Sequence, residues 1–477
     1  MRHMDDKNDT VCALATPGIS SAISVIRVSG SKAISIVDSI FTPLSGPSLM
    51  AGKSRTMRLG TIKKGDSVID EVLVALFNSP ASYTGEDSAE IFCHGSTYIQ
   101  KEILMLLFAS GARQAAPGEF SMRAFLNGKM DLAQAEAVAD LISSETSAAH
   151  RIAMQQMKGG FSRKLSEMRS ELLNLVSLME LELDFSEEDV EFADRTRLRI
   201  MLDGVRTHIE TLIDSFKLGN VIKNGVPVAI VGATNTGKST LLNSILGEER
   251  AIVSDIHGTT RDFIEDVVNI DGTAFRFIDT AGIRKTEESI ELIGIERTYE
   301  KIRKASVVML MLDSEKEDSF RESIMKIADS PAFSDQILFI LVNKTDSIEG
   351  GKAEMDRLCS VARSLSLESG LNPYVVMGIS AKSDKGLKEL KKALVSGQNL
   401  TFSGSDDLLV SNVRHHQALL LALEALNRVE DGMDNSIPTD LLTQDIRDAL
   451  FHLGEIVGEI NTEEILGNIF SKFCIGK

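Results

Sequence analysis

The sequence predicts an α/β and all-α multidomain fold: an N-terminal α/β domain, then a discontinuous helical domain with a second α/β domain inserted into it. The chain has 477 residues, and about 150 residues per domain gives about three domains. Between residues 219 and 398, apolar strand-like runs alternate with helical patterns, which is typical of a parallel sheet. Both flanks of that region are helical in pattern, which favours the insertion. The predicted domains span residues 1–120, 121–218, 219–398 and 399–477, with the second and fourth forming the helical domain.

The first 120 residues mix short apolar runs with Gly and Pro turns. Runs rich in β-branched residues predict strands at Ala22–Val28, Val68–Phe77 and Ala89–Cys93. The segment Ile99–Phe108 has a helical pattern. Together they predict a small α/β domain.

The helical segments are recognised by apolar residues at spacings of three and four. One such stripe predicts a long helix, and its members are Phe161, Leu165, Met168, Leu172, Leu175 and Met179. A helical-bundle core is favoured over a coiled-coil dimer, because the pattern fades after Met179. Further helices are predicted at Arg414–Val429 and Leu441–Ile456, and a last one begins at Asn461 with Glu464 completing a capping box.

Composition and charge exclude several classes of protein. The formal net charge of −18 argues against a nonspecific nucleic-acid coat but leaves a local basic patch for one structured RNA open. No apolar run approaches the roughly 20 residues that span a bilayer, and the N-terminus has no signal-peptide pattern. The four cysteines form no CxxC pair, so neither a zinc site nor a disulfide framework is indicated. We therefore expect a cytoplasmic protein with no membrane association.

A phosphate-binding loop follows the predicted strand Val228–Val231. The segment Gly232–Thr240 reads GATNTGKST and leads into a helix, which matches G-x-x-x-x-G-K-[ST] in its strand–loop–helix context. Its glycines let backbone N–H groups surround phosphates, its lysine places a cation on the terminal phosphates, and its serine offers a hydroxyl to Mg²⁺. The predicted nucleotide contacts here are Asn235, Thr236, Gly237, Lys238, Ser239 and Thr240.

Three further motifs each follow a strand, and the last two of them select guanine. Asp279 and Gly282, in DTAG, can hold Mg²⁺ through water and sense the γ-phosphate. In the segment NKTD, with Asn343, Lys344 and Asp346, a carboxylate can accept both N–H groups of a guanine edge. The segment SAK, with Ser380 and Ala381, suits a backbone contact with the guanine oxygen. Their order indicates a Ras-like P-loop domain that binds GTP.

The segment between the phosphate loop and Asp279 carries the hydroxyls that could complete the Mg²⁺ shell when the γ-phosphate is present. We choose Thr260 for this role, with Thr259 as the alternative. Ile283 stands where Ras-like proteins have a water-orienting glutamine, so catalysis must be arranged differently. The amide of Asn235 is a candidate ligand for a monovalent cation beside the phosphates, and a purely structural role for it in the loop stays open.

Motifs outside this domain resemble the MnmE family of tRNA modification GTPases, also called TrmE. They are PASYTGEDSAEIFCHG at Pro80–Gly95, PGEFSMRAFLNGKMDLAQAEAVADLI at Pro117–Ile142 and FCIGK at the end, and the similarity covers essentially the whole chain. The resemblance implies an N-terminal folate-binding and dimerising domain and an inserted G domain. It implies a homodimer that forms a heterotetramer with the partner protein MnmG (GidA), which carries FAD. Together they would modify the wobble uridine of certain tRNAs with an aminomethyl-type group, using 5-formyl- or methylene-tetrahydrofolate as the one-carbon donor and GTP hydrolysis to drive the cycle.

The resemblance also implies roles for single residues. Folate contacts fall on Arg27, Glu90, Lys129 and Lys477, and the potassium loop falls on Asn235, Ser254, Ile256 and Thr259. The catalytic glutamate matches Glu291, and Cys474 is a functional thiol rather than a prenylation site. A rival hypothesis is a regulatory GTPase switch in ribosome assembly, which shares the central motifs but usually has an added basic RNA-binding module. No such module is visible in the sequence.

Overall fold

The computed structural model divides the chain into two compact units. One comprises Met1–Ile142, Met154–Thr207 and Ala418–Lys477, and the other comprises Ser143–Ala153 and His208–Gln417; they are called unit 1 and unit 2. The structure describes residues 9–184, 195–247, 266–278, 300, 302–334, 336–348, 351–397, 408–435, 437–460, 463–471, 473 and 476. The predicted fold class is confirmed, whereas the four domain boundaries stay a prediction.

Unit 1 contains a mixed seven-stranded sheet in the order β3-β4-β5-β6-β2-β1-β7. Its strands are β1 (Val11–Leu14), β2 (Ile23–Ser29), β3 (Phe41–Pro43), β4 (Thr56–Lys64), β5 (Ser67–Phe77), β6 (Ser88–His94) and β7 (Arg113–Gln114). All strand pairs are antiparallel except β1 with β7. Alternate residues of β2 and β6 turn inward to a core that includes Ile26, Val28 and Ile91, because side chains alternate between the faces of a strand. The three predicted strands and the predicted helix lie within one or two residues of their expected bounds.

α-Helices supply most of the remaining described secondary structure in both units. They are α1 (Ala33–Ile40), α2 (Thr97–Ala109), α3 (Glu119–Leu126), α4 (Leu132–Ser143), α5 (Ser147–Met157), α6 (Gly160–Asp184), α7 (Arg195–Asn224), α8 (Lys238–Gly247), α9 (Phe320–Ala328), α10 (Gly351–Glu368), α11 (Leu387–Gly397), α12 (Val413–Asp434), α13 (Thr439–Val457) and α14 (Glu463–Phe470). None of those searched is long and apolar enough to cross a membrane. The predicted cap at Asn461 lies outside the described residues.

The predicted stripe from Phe161 to Met179 is buried on α6, which packs against α13. Ion pairs join the same two helices and their continuations, with Arg169 contacting Glu459 and Arg447 contacting Glu180. Since the stripe is buried inside one chain, the bundle-core prediction is confirmed and the coiled-coil alternative is wrong.

Unit 2 is built on a six-stranded sheet in the order β13-β12-β11-β8-β10-β9. Its strands are β8 (Val226–Gly232), β9 (Asp266–Ile270), β10 (Thr273–Phe277), β11 (Val307–Asp313), β12 (Ile337–Asn343) and β13 (Val375–Gly378). Only β9 is antiparallel to its neighbour within this described sheet. Alternate residues of β11, such as Met309 and Leu310, enter separate cores on the two faces. A strand buried on both faces explains why its sequence is an unbroken apolar run.

Candidate functional site

The phosphate-binding loop connects the end of β8 to the start of α8, as the sequence predicts. Gly232 has φ of 149° and Gly237 has φ of 95°, values that favour glycine, and Asn235 also has a positive φ of 65°. A Cβ atom on Gly237 would collide with the amide nitrogen of Asn343, and one on Gly232 would lie 2.5 Å from the carbonyl oxygen of Met311. Glycine is therefore required at both ends of the loop, for conformation and for space.

Two side chains hold the loop in a closed shape. The Lys238 ammonium donates to the carbonyl oxygens of Gly232 at 2.9 Å and Ala233 at 2.6 Å, so the lysine spans the loop. Buried Thr236 donates from its hydroxyl to Ala233 O at 2.9 Å. The ammonium of Lys238 therefore lies against the first two residues of the loop. A cation at this position suits an anionic ligand bound within the loop.

Asn343 connects this loop to the base-recognition motifs. Its side-chain nitrogen donates to Thr236 O at 2.7 Å, and its side-chain oxygen accepts from Ala381 N at 3.0 Å. The hydroxyl of Ser244 on α8 donates to Ala381 O at 2.7 Å. One buried amide therefore brings the phosphate loop, the NKTD segment and the SAK segment into one site, which confirms their expected proximity.

Asp346 is exposed, and its carboxylate accepts a hydrogen bond from a neighbouring side chain. Ser380 donates from its hydroxyl to Asp346 Oδ1 at 2.6 Å, and this hydrogen bond lowers the pKa of the carboxyl group below its usual value. A carboxylate that stays ionised is the acceptor that two adjacent N–H groups of a guanine edge require. Thr345 N donates to Ile379 O at 3.2 Å, which fixes the NKTD turn against the strand that precedes SAK.

Among the described residues, Ser239 is the predicted Mg²⁺ ligand that can be placed at this site. Ser239 and Thr240 are the second and third residues of α8, directly after the loop, and their contacts with Mg²⁺ and phosphate stay a prediction. The other predicted contacts lie outside the described residues: Ser254, Ile256, Thr259, Thr260, Asp279, Gly282 and Glu291. Asn235 is exposed in the loop, and its predicted cation role stays a prediction.

A second polar cluster lies in unit 1 on β2 and β6. Arg27 and Glu90 are directly opposite each other in the sheet, and Arg27 Nε donates to Glu90 Oε1 at 2.9 Å. The guanidinium also lies 5.0 Å from the ring centre of Tyr83 and 5.6 Å from that of Phe120. Both charged side chains are 19% exposed, so the pair is partly accessible to solvent.

Lys129 lies next to the loop that precedes β6. Its ammonium donates to Pro80 O at 3.0 Å, and its stem is close to Gly85, where a Cβ atom would come within 3.2 Å of Lys129 Cγ. The neighbouring Asn127 donates to Thr84 O at 2.8 Å. The loop that carries Tyr83 is therefore held by two kinds of contact. The ring of Tyr83 lies beside the guanidinium of Arg27, and Lys129 donates to a carbonyl oxygen of the same loop.

The end of the chain also reaches this sheet. Gly476 is buried, and a Cβ atom on it would collide with the carbonyl oxygen of Leu14 in β1. The neighbouring residue in β1, Ala13, pairs with Arg27 of β2. Gly118 is likewise pressed against the chain end, since its Cβ would lie 2.6 Å from Phe470 O. Cys474 and Lys477 lie outside the described residues. Gly476, which is between them in the sequence, lies beside β1, the strand that pairs with β2.

An ionic cluster in unit 1 is missing from the sequence predictions. It consists of Asp9, Glu86, Arg113, Glu119 and Arg123. Glu119 accepts from Arg113 at 2.6 Å and from Arg123 at 2.8 Å, and Glu86 ties the loop before β6 to Arg123. The spacing of four between Glu119 and Arg123 on a helix could have indicated one of these pairs. Arg113 and Glu119 are six residues apart, and the remaining pairs join residues far apart in the chain.

Two family models and the relatives similar in sequence to this chain agree in family. The family described as "MnmE helical domain" matches residues 132–474, and "GTP-binding protein TrmE N-terminus" matches residues 10–129. A protein of Bacteroides thetaiotaomicron named "tRNA modification GTPase MnmE" is 52% identical over 471 residues, covering 98% of this chain and 99% of the relative. One of the same name from Christiangramia forsetii is 50% identical over 477 residues, with 98% and 99% covered. A GTP-binding protein of Sulfolobus solfataricus solved with GDP is 18% identical with a TM-score of 0.29, covering 48% of this chain and 66% of that one.

Proposed function

The chain belongs to the MnmE family of tRNA modification GTPases, and on that premise we propose that it hydrolyses GTP in the course of modifying tRNA. The observation that carries the GTP part is the bridge made by Asn343, which bonds both to the phosphate loop at Thr236 and to the base-recognition segment at Ala381. A phosphate site and a guanine site are useful together only when a single nucleotide spans them.

Hydrolysis is proposed to depend on potassium. Ile283 cannot orient water, and exposed Asn235 offers an amide oxygen in the phosphate loop. Asn235, Ser254, Ile256 and Thr259 would hold K⁺, Ser239 and Thr260 would hold Mg²⁺, and Glu291 would position the attacking water. Turnover should be faster in KCl than in NaCl, and Asn235→Ala should remove the difference. Equal rates in both salts would refute the potassium site.

Glu291 is proposed to act on turnover rather than on binding. Glu291→Ala should keep the affinity for a non-hydrolysable GTP analogue and lower kcat, because the carboxylate acts only on the attacking water. An equal loss of affinity and rate would instead indicate a structural acid.

The unit 1 cluster is proposed to bind a tetrahydrofolate derivative. Arg27, Lys129 and Lys477 would pair with the carboxylates of its glutamate tail, and Glu90 would accept from its pterin N–H groups. The partial exposure of the Arg27–Glu90 pair and the approach of the chain end at Gly476 support this assignment. The folate supplies the one-carbon unit, and Cys474 would act at that unit. Cys474→Ser should therefore abolish tRNA modification while GTP hydrolysis continues, and a joint loss of both would indicate a packing role.

A homodimer is proposed through a row of exposed and half-buried apolar side chains on the unit 1 sheet. Leu59, Leu73, Phe92 and Val25 form a row across four neighbouring strands, by the register of the sheet. Leu59 and Leu73 are each about two-fifths exposed, and Ile23 at the end of β2 is 62% exposed. Large apolar side chains exposed together mark a protein interface. The dimer would assemble with FAD-carrying MnmG into a heterotetramer that acts on the tRNA wobble uridine.

The test of the whole proposal is nucleoside mass spectrometry of tRNA from a cell that lacks this protein. Loss of the aminomethyl-type group at the wobble uridine, restored by the intact gene, is the expected result. An unchanged wobble uridine together with a defect in ribosomal subunits would favour the alternative, a regulatory GTPase in ribosome assembly.

A further inference from the structure

A buried carboxylate lies at the edge of the nucleotide site. Asp313 is the last residue of β11, directly opposite Asn343 in β12, and is 3% exposed. Burying an ionised carboxylate is costly unless a positive partner and hydrogen bonds compensate for the lost water. The partners of Asp313 therefore indicate its role.

The two oxygens of Asp313 make separate contacts. Oδ2 accepts from the ammonium of Lys344 at 2.7 Å, and Oδ1 accepts from Glu315 N at 3.2 Å. The first contact joins β11 to the NKTD segment, and the second belongs to the local turn. An asparagine at this position could keep the turn contact through its amide oxygen, but it would lose the ion pair.

Lys344 is also fixed along its backbone. Its φ of 69° lies in the left-handed region, and Ser314 donates from its hydroxyl to Lys344 O at 3.2 Å. The hydrogen bond from Lys344 to Asp313 raises the pKa of the lysine, so the ammonium stays charged. Glu315 is a more distant and exposed second partner, at 3.7 Å. The long side chain of Lys344 is thus held at both ends, by the fixed backbone and by the ion pair of its ammonium group.

We propose that Asp313 is a positioning residue for guanine-nucleotide binding, which acts by holding the side chain of Lys344 beside Asp346. The inference rests on the proposed function of this site. A lysine stem offers apolar surface to the flat face of a purine while its ammonium stays bound elsewhere. Because Asp313 fixes that stem before the nucleotide arrives, less side-chain entropy is lost on binding.

The experiment measures the affinity of the full-length protein for fluorescent methylanthraniloyl-GDP in the wild type, Asp313→Asn and Glu315→Gln. Asp313→Asn should weaken binding by about tenfold, chiefly through faster dissociation, because interface changes act mostly on dissociation rates. Glu315→Gln removes the exposed partner and should stay within about twofold of the wild type. The charge-preserving variant Asp313→Glu should bind more tightly than Asp313→Asn.

A double-mutant cycle separates positioning from a general structural effect. If Asp313 acts through Lys344, then Asp313→Asn adds nothing to Lys344→Ala, since the side chain to be positioned is already absent. Circular dichroism establishes that each variant is folded at the assay temperature. Wild-type affinity in Asp313→Asn, full additivity in the cycle, or an Asp313→Asn variant that cannot fold would each overturn the proposal. Failure of the wild type itself to bind guanine nucleotide would overturn the proposed function as well.

Discussion

The nucleotide site of unit 2 and the Arg27–Glu90 cluster of unit 1 place charged groups by different means. In unit 2, Asp346 and Lys344 follow the end of one parallel strand, and their partners Ser380 and Asp313 stand at or just after the ends of the neighbouring strands. In unit 1, Arg27 and Glu90 lie in the middle of antiparallel strands, 63 residues apart, and they pair with each other. The first site is assembled from strand ends, and the second from the flat face of a sheet.

The difference explains how the charged groups of each site are held in place. Carboxyl ends of parallel strands meet at one edge, so short motifs after each strand converge there without further support. A sheet face has no such edge, and unit 1 instead uses the loop held by Arg123, Asn127 and Lys129 together with the end of the chain. We therefore expect the unit 2 site to respond to changes within its motifs, and the unit 1 site to respond also to changes in distant segments.

The largest expected effect is that of Lys238→Ala on GTP. Loss of the cation of the phosphate loop should weaken GTP binding by about 100-fold or more, because charge-assisted contacts with phosphate are the strongest in such a site. Folate binding measured on the same protein by calorimetry should not change. A parallel loss of folate affinity would show that the two sites are not independent.

The chain end gives the next effect, and it is specific to unit 1. Gly476→Ala places a methyl group against Leu14 O at a φ of 99°, so the tail must move from the sheet. We expect tRNA modification to fall by about tenfold or more, since misplacing groups of a reaction site commonly costs this much or more, while GTP hydrolysis continues. Gly467→Ala on α14 is the matched control, because its Cβ would meet nothing within 4 Å. Equal behaviour of the two variants would contradict a role for the tail.

A smaller change is expected for Ser380→Ala. Removing the donor to Asp346 loses one hydrogen bond to a charged group, which we expect to cost about 1.5 kcal/mol, or roughly tenfold in GTP affinity. The loss should appear in fluorescence titrations with GTP and should be smaller for Ser383→Ala, whose backbone N–H contacts the Ser380 hydroxyl. An unaltered affinity would mean that Asp346 needs no partner.

Acid stability gives the smallest and most selective comparison. Burial alone would raise the pKa of Glu119, but hydrogen bonds from Arg113, Ala116 and Arg123 together lower it below its usual value. A lowered pKa in the folded state stabilises the fold above the unfolded pKa, and that contribution disappears as the pH falls through the folded pKa. The difference in urea midpoint between wild type and Glu119→Gln should therefore shrink as the pH falls below about 4.5.

Asp346 provides the control for that measurement. Its pKa is also lowered, through Ser380, but its carboxylate is exposed and screened by water. Asp346→Asn should therefore leave the urea midpoint nearly unchanged at every pH. A shift as large as that of Glu119→Gln would contradict the assignment of acid stability to the buried cluster.

The sequence by itself predicted several of the strands and helices and the motifs of the nucleotide site. Strands such as Ile337–Asn343 are strongly apolar, and the residues after them carry recognisable motifs, so local pattern sufficed to predict a GTP site with Asn343, Asp346 and Ser380 near one another. The stripe on α6 predicted a bundle core for the same reason, because helix periodicity is local. The roles of Arg27, Glu90 and Lys129 came from family resemblance alone.

Only the tertiary structure decided which charges pair over long distances. Asp313 with Lys344, Arg27 with Glu90, and Asp9 with Arg123 in the cluster around Glu119 depend on register and on loop closure between segments 31 to 114 residues apart. No periodicity encodes such a pairing, because each partner alone has the pattern of an ordinary surface charge. Burial is what makes the pairing obligatory, since an ionised side chain removed from water is stable only beside its counter-charge.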